Sequence, residues 1–108
     1  MSVDALRAVR ERIASGWSQG ADARDSLGRE VPLASSDASA WSLAAAFGLA
    51  GKDGIPLNHL PGALRALAAV TEIDSLTVWN DETGRTKQEV LDALDDAIQR
   101  VEGTDHVV

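Results

Sequence analysis

The stretch Ala40-Trp41-Ser42-Leu43-Ala44-Ala45-Ala46-Phe47-Gly48-Leu49-Ala50 decides the fold class. Ala and Leu are strong helix formers, and here they run together without a polar face on any side. A helix of that kind in a small chain is expected to be the buried, central one. Asp37 or Ser39 offers an N-cap, and Gly51 offers the C-terminal stop. The Ala and Gly positions are expected to let neighbouring elements approach closely.

Upstream, residues 3–15 read as an amphipathic helix, with Leu6, Val9, Ile13 and then Trp17 at spacings of three and four. Asp4 at its start and Arg7, Arg10 and Arg12 further along suit the helix dipole. Gly16 is placed to end this helix, leaving Trp17 to fold back on the apolar stripe. The helical period then stops. Asp25-Ser26-Leu27-Gly28 has the residues of a type I turn, so segments 19–24 and 29–33 make a possible short β-hairpin. Gly20 and Pro32 weaken both of its strands.

Downstream, residues 51–56 read as a loop, followed by a third helix with Leu57, Leu60, Leu64, Leu67 and Ala68 on one stripe. Pro61 is tolerated only in a first turn, which puts the regular part near Leu60 or Pro61. Ile73, Leu76 and Trp79 carry the apolar content into an irregular stretch, and Asp81-Glu82-Thr83-Gly84 repeats the Asp-x-x-Gly turn. Thr86-Lys87-Gln88-Glu89 is a capping box directly before the stripe Val90, Leu91, Leu94, Ala97, Ile98 and Val101. That final helix is expected to end near Gly103. The fold class is therefore mainly α: a four-helix single domain over residues 1–103, with a central apolar helix, the hairpin between helices 1 and 2, and a frayed tail at 104–108.

The formal charge is −7, unevenly spread: residues 1–54 carry −1 and residues 55–108 carry −6. Direct nucleic-acid binding and an anionic membrane surface are both disfavoured, because each attracts clustered Lys and Arg. The absence of cysteine removes disulfides and thiolate metal sites. The opening residues Met1 to Arg7 lack the apolar stretch of a secretory signal, and no apolar run reaches membrane-spanning length. A cytoplasmic protein is the expectation.

Four features deserve weighing for chemistry. Trp79-Asn80-Asp81, leading into Thr86, offers an indole, an amide and a carboxylate that would line a small polar pocket; their structural alternative is core packing, turn amides and a helix cap. Trp17, Trp41 and Trp79 would frame a recognition pocket or fill a core otherwise made of small residues. His59 and His106 form no metal-ligand spacing, and His59 meets Asp81 only if the tertiary fold brings them together. Glu89, Asp92, Asp95, Asp96 and Glu102 make an acidic helix face, which is either a solvated surface or a mimic of a phosphate backbone. No phosphate loop, dinucleotide fingerprint or nucleophile elbow is present, so no cofactor and no metal are implied.

Gly16-Trp17-Ser18-Gln19-Gly20, the turn at Gly28, Trp41-Ser42-Leu43-Ala44-Ala45-Ala46, and Trp79-Asn80-Asp81 with Thr86 together resemble a family of small bacterial and phage proteins, a domain of unknown function. The resemblance runs from Leu6 to about Ile98. In that family, as the resemblance has it, the central helix often reads Cys-Leu-x-Gly-Ala; Ser42 stands at its Cys position, so no thiol chemistry carries over. The resemblance implies no activity. The leading expectation is a non-catalytic interaction or accessory module, with a protein partner or a homo-oligomer. The alternatives are a small-ligand-binding or enzymatic domain built on Trp79, Asn80, Asp81, His59 and Trp17, and an acidic decoy for a nucleic-acid-binding protein.

Overall fold

Helix α1 (Ser2–Ser15) forms where its period of apolar residues predicts, and Ala5, Leu6, Val9 and Ile13 are the face it buries. A computed structural model describes residues 2–72 and 75–105, with 104 and 105 described by backbone alone. The expected irregular position of Ile73 and the end of the expected frayed tail, 106–108, lie outside the described residues. Among the described residues the protein is mainly helical. It has five α-helices and a short three-stranded sheet, one helix more than the four expected.

The hairpin forms. Strands β1 (Ala23–Arg24) and β2 (Glu30–Val31) pair antiparallel, Arg24 opposite Glu30. Asp25 turns the chain: its carbonyl accepts from Gly28 N at 3.0 Å, while its carboxylate accepts from Leu27 N and Arg29 N, each at 2.9 Å. Gly28 has φ +80°, the left-handed position that follows a type I turn in a three-residue hairpin loop.

The apolar stretch at Ala40 divides in a way its composition does not show. Ala40–Trp41 is strand β3, which pairs antiparallel with β1 to complete the sheet order β2-β1-β3. Helix α2 is therefore only Leu43–Gly48, and its N-cap is Ser42, whose Oγ accepts from Ala45 N, rather than Asp37 or Ser39. Trp41 leaves the helical register because its N–H and C=O are taken by Gly16 O and Ser18 N, at 2.9 and 3.0 Å. Long-range backbone pairing outweighs local propensity here. Gly16 is needed for this approach: a Cβ there would sit 2.0 Å from Ser39 O and 2.9 Å from Ala40 Cα. Its backbone is not left-handed, so the glycine serves proximity more than helix termination.

Leu43, Ala45, Ala46 and Phe47 of α2 are buried as expected, but the centre of the fold is α1. Its most extensive packing is against α5 (Lys87–Asp105), and it also touches α2, β3 and α3 (Leu60–Thr71). One 3₁₀ turn, Leu57–His59, leads into α3, and Pro61 stands in the first turn of α3 as predicted. The single stripe expected for α3 splits: Leu67 is buried, together with Ala63 from outside that stripe, Leu60 and Ala68 are half-buried, and Leu57 and Leu64 are exposed at 73% and 38%. Where an irregular stretch was expected, Leu76–Asn80 forms the short helix α4, capped by Ser75 Oγ accepting from Val78 N.

The capping box is reciprocal, as its spacing requires. Thr86 N donates to Glu89 Oε1 at 3.0 Å and Glu89 N donates to Thr86 Oγ1 at 3.1 Å. Val90, Leu94 and Ala97 are then fully buried against α1 and α3. The helix passes Gly103 and continues to Asp105.

Candidate functional site

The segment after α1 and the end of α4 meet around one side chain. Asn80 is fully buried, and the chain itself satisfies its amide. Oδ1 accepts from the Trp17 indole N–H at 2.8 Å and from Leu43 N at 3.2 Å. Nδ2 donates to Ser18 O at 3.0 Å and to Asp81 Oδ1 at 2.9 Å. A carboxamide offers two donors and two acceptor positions, and all four are filled.

Neighbouring residues extend the knot. Asp81 Oδ1 also accepts from Gly20 N at 2.9 Å, where Gly20 takes φ +80°. Gln19 Nε2 donates to the carbonyls of Asn80 and Glu82, at 3.2 and 2.8 Å. Trp79 buries its ring in the core, and the Arg85 guanidinium lies 3.9 Å from the ring centroid on its outer side. Arg85 Nε donates to Trp79 O at 3.0 Å and its remaining nitrogens pair with Glu82 and Glu89. A cation over an indole in a partly desolvated setting contributes about 0.5–2 kcal/mol.

Four of the five residues selected from sequence, Trp17, Trp79, Asn80 and Asp81, therefore come together. His59 does not join them. Its Nδ1 lies 3.1 and 3.0 Å from the two carboxylate oxygens of Asp4, tying the start of α3 to the first turn of α1. Burial works to raise the Asp4 carboxyl, but the hydrogen bond and charge of His59 outweigh it and hold that carboxyl below its ordinary value. His106 lies outside the described residues.

Gln19, Ser18 and Arg85 belong to the cluster and were not singled out. The available signal was proximity in sequence: Ser18 and Gln19 follow Trp17, and Arg85 follows the Asp-x-x-Gly turn. Nothing local says that the two segments meet.

Trp41 has a different fate. Its Nε1 is buried with no hydrogen-bond partner among the described residues, and the Arg12 guanidinium lies 4.8 Å from its ring centroid. A hollow of about 410 Å³ opens beside that arginine, lined by Ala8, Glu11, Arg12, Ser15 and Asp53. None of the five candidate residues lines it. Arg12 and Asp53 pair with each other across it through two hydrogen bonds.

The acidic face of α5 is matched from within the chain. Asp95 receives Arg10, Glu102 receives Arg7, Asp96 receives Arg100, and Asp92 accepts from Gln88. Its bond to Asp95 holds the Arg10 guanidinium above its ordinary pKa, burial working the other way. Among the described residues no group of three or more His, Cys, Asp or Glu side chains is placed to hold a metal ion. No described helix is long and apolar enough to cross a membrane.

No curated protein and no solved structure matches the chain. A family model described as "Family of unknown function (DUF6197)" matches residues 2–100, a span that holds α1 to α4, all three strands, the Asn80 knot and most of α5. The chain belongs to this family of unknown function.

Proposed function

We propose that the chain is a non-catalytic interaction module. The observation that supports this reading is the exposure of Leu57 and Leu64, two leucines at helical spacing on a small domain. The polar residues that first suggest a pocket are engaged instead in holding the 16–20 segment, α2 and α4 together. A bacterial or phage context follows the sequence resemblance, and a cytoplasmic setting is part of the proposal.

The reading is tested with the tagged full chain, expressed at native level and sized in extract of its own cell. A stoichiometric complex is expected, lost on Leu57→Asp while the far-UV circular dichroism is unchanged. The reading fails if the chain runs alone at monomer mass. It also fails if a folded Asp81 or His59 variant abolishes the cellular role while Leu57→Asp retains it.

A further inference from the structure

Gly51-Lys52-Asp53-Gly54 is an exposed turn between α2 and the 3₁₀ turn Leu57–His59, and it holds the one Asp-Gly step of the sequence. Such a step carries its own reactivity. The amide nitrogen that follows an aspartate is placed to attack the side-chain carboxyl, and glycine, lacking a Cβ, hinders that attack least. Every other aspartate of the chain is followed by a residue with a side chain, and neither asparagine is followed by glycine. Gly54 takes φ +90°, a conformation that the glycine adopts without strain.

Two contacts hold the groups that would react. Arg12 takes both carboxylate oxygens of Asp53: its Nε donates to Oδ2 at 3.3 Å and its Nη2 donates to Oδ1. The guanidinium is itself set against the Trp41 ring, 4.8 Å from the centroid, so the turn is tied to α1 and β3 together. The nucleophile, Gly54 N, donates to Gly51 O at 3.2 Å. Ring closure must break both contacts, because one carboxyl oxygen leaves as water and the Gly54 amide gives up its proton. The Gly54 bond lies within the turn, whereas the Arg12 pair joins positions 41 apart. With side chains 21% and 29% exposed, that pair is open to water and to salt.

We infer that Asp53 is a modification site, where the chain isomerises to isoaspartate through a succinimide closed with Gly54 N, and that Arg12 is the residue that restrains it. The bond from Gly54 N to Asp53 Cγ forms as the Cγ–OH bond breaks and water departs. Water then opens the ring at one of its two carbonyls. Attack at Cγ restores aspartate. Attack at the main-chain carbonyl leaves the backbone running through Cβ and Cγ, with the carboxylate on Cα. One water leaves and one returns, so the mass is unchanged and no other reactant is consumed. The isomer lengthens the turn by one backbone carbon and draws the carboxylate in toward the main chain, away from Arg12. Arg12 also lines the hollow of about 410 Å³, so isomerisation frees a guanidinium at the mouth of that hollow.

The test ages the full chain, Arg12→Gln and Arg12→Lys in neutral buffer beside a synthetic peptide of residues 49–58. Isoaspartate is read as a mass-neutral chromatographic shift of the tryptic peptide that holds position 53. It is read independently as methyl groups accepted from S-adenosylmethionine under an isoaspartyl carboxyl methyltransferase. The full chain is expected to isomerise more slowly than the peptide. Arg12→Gln should be about fivefold faster than the full chain, since an exposed ion pair with an aromatic contact shifts such an equilibrium by roughly two- to tenfold. Arg12→Lys, which keeps the charge and loses the fork, should fall between them. Raised salt should accelerate the unaltered chain and leave folded Arg12→Gln unchanged, so the restraint is tested even if that variant unfolds. Asp53→Glu should abolish the signal, because its ring would be one atom larger. The site is overturned if folded Arg12→Gln forms no isoaspartate at position 53, or forms it first at another aspartate. The restraint is overturned if the full chain matches Arg12→Gln or the free peptide in rate, or if salt leaves the unaltered chain unchanged.

Discussion

The Trp17 indole N–H donates to Asn80 Oδ1 at 2.8 Å, joining residues 63 positions apart in sequence. The same oxygen accepts Leu43 N, the first amide of α2. One carboxamide thus fixes the exit of α1, the entry of α2 and the end of α4. Replacing Asn80 with Ala leaves Trp17 Nε1, Leu43 N and Ser18 O without their partner and opens a small void. A loss of about 2–4 kcal/mol in urea unfolding is expected, since each stranded buried group costs roughly 1–3 kcal/mol and the site relaxes in part.

Gly16 is the second place where the fold depends on one residue. Gly16→Ala forces a methyl into the backbone of Ser39 and Ala40, and is expected to cost about 2–3 kcal/mol by parting β3 from the segment after α1. Gly48→Ala is the control. No heavy atom lies within 4 Å of its added Cβ, and it is expected to be neutral or to stabilise by about 0.5 kcal/mol. Equal effects in thermal unfolding would count against the close approach.

At the start of α5 the two halves of the capping box make separable predictions. Thr86→Ala removes the acceptor for Glu89 N and is expected to cost about 1 kcal/mol. Glu89→Gln keeps an acceptor for Thr86 N and is expected to cost less than about 0.5 kcal/mol. A larger effect from Gln than from Ala would put the contribution in the Arg85 ion pair instead.

Acid should weaken the fold through two named carboxylates. Asp25 lies below its ordinary value of 3.8 because Arg29 N donates to it, an effect that outweighs desolvation and is joined by the Arg29 side chain and Leu27 N. Asp4 is lowered in the balance between burial and His59. A carboxyl lowered on folding contributes stability that is complete above its unfolded value and is lost as pH falls through the folded one. Titration of the urea midpoint below pH 3.8 should therefore fall less steeply in Asp4→Asn and Asp25→Asn than in the parent. Parallel curves would remove both residues from the acid response.

How much of this was legible in the sequence depends on how local the cause is. The start and the buried stripe of helix α5 were legible, because Thr86 and Glu89 are three apart and its apolar period is uninterrupted, whereas its end was placed at Gly103, two residues short of Asp105. The hairpin was legible from Asp25 and Gly28. Ala40 and Trp41 were misread as helix because the partners that make them a strand, Gly16, Ser18 and Ala23, lie elsewhere in the chain. Leu57 and Leu64 were read onto one stripe with Leu67, and their exposure was not legible, because period alone identifies apolar residues without saying how wide the covered face is. Trp17, Asn80 and Asp81 were selected as candidates, but their mutual contacts are tertiary, and only these show Asn80 to have its four hydrogen bonds within the chain.

The central claim, that the Trp-Asn-Asp cluster holds the fold together, is tested most directly by a double-mutant cycle. Trp17→Phe keeps a ring and removes the donor, Asn80→Ala removes the acceptor, and urea unfolding gives the stability of each variant and of the pair. A coupling of about 1 kcal/mol or more between the two positions is predicted. Additivity within about 0.3 kcal/mol, with each single substitution nearly neutral, would contradict it.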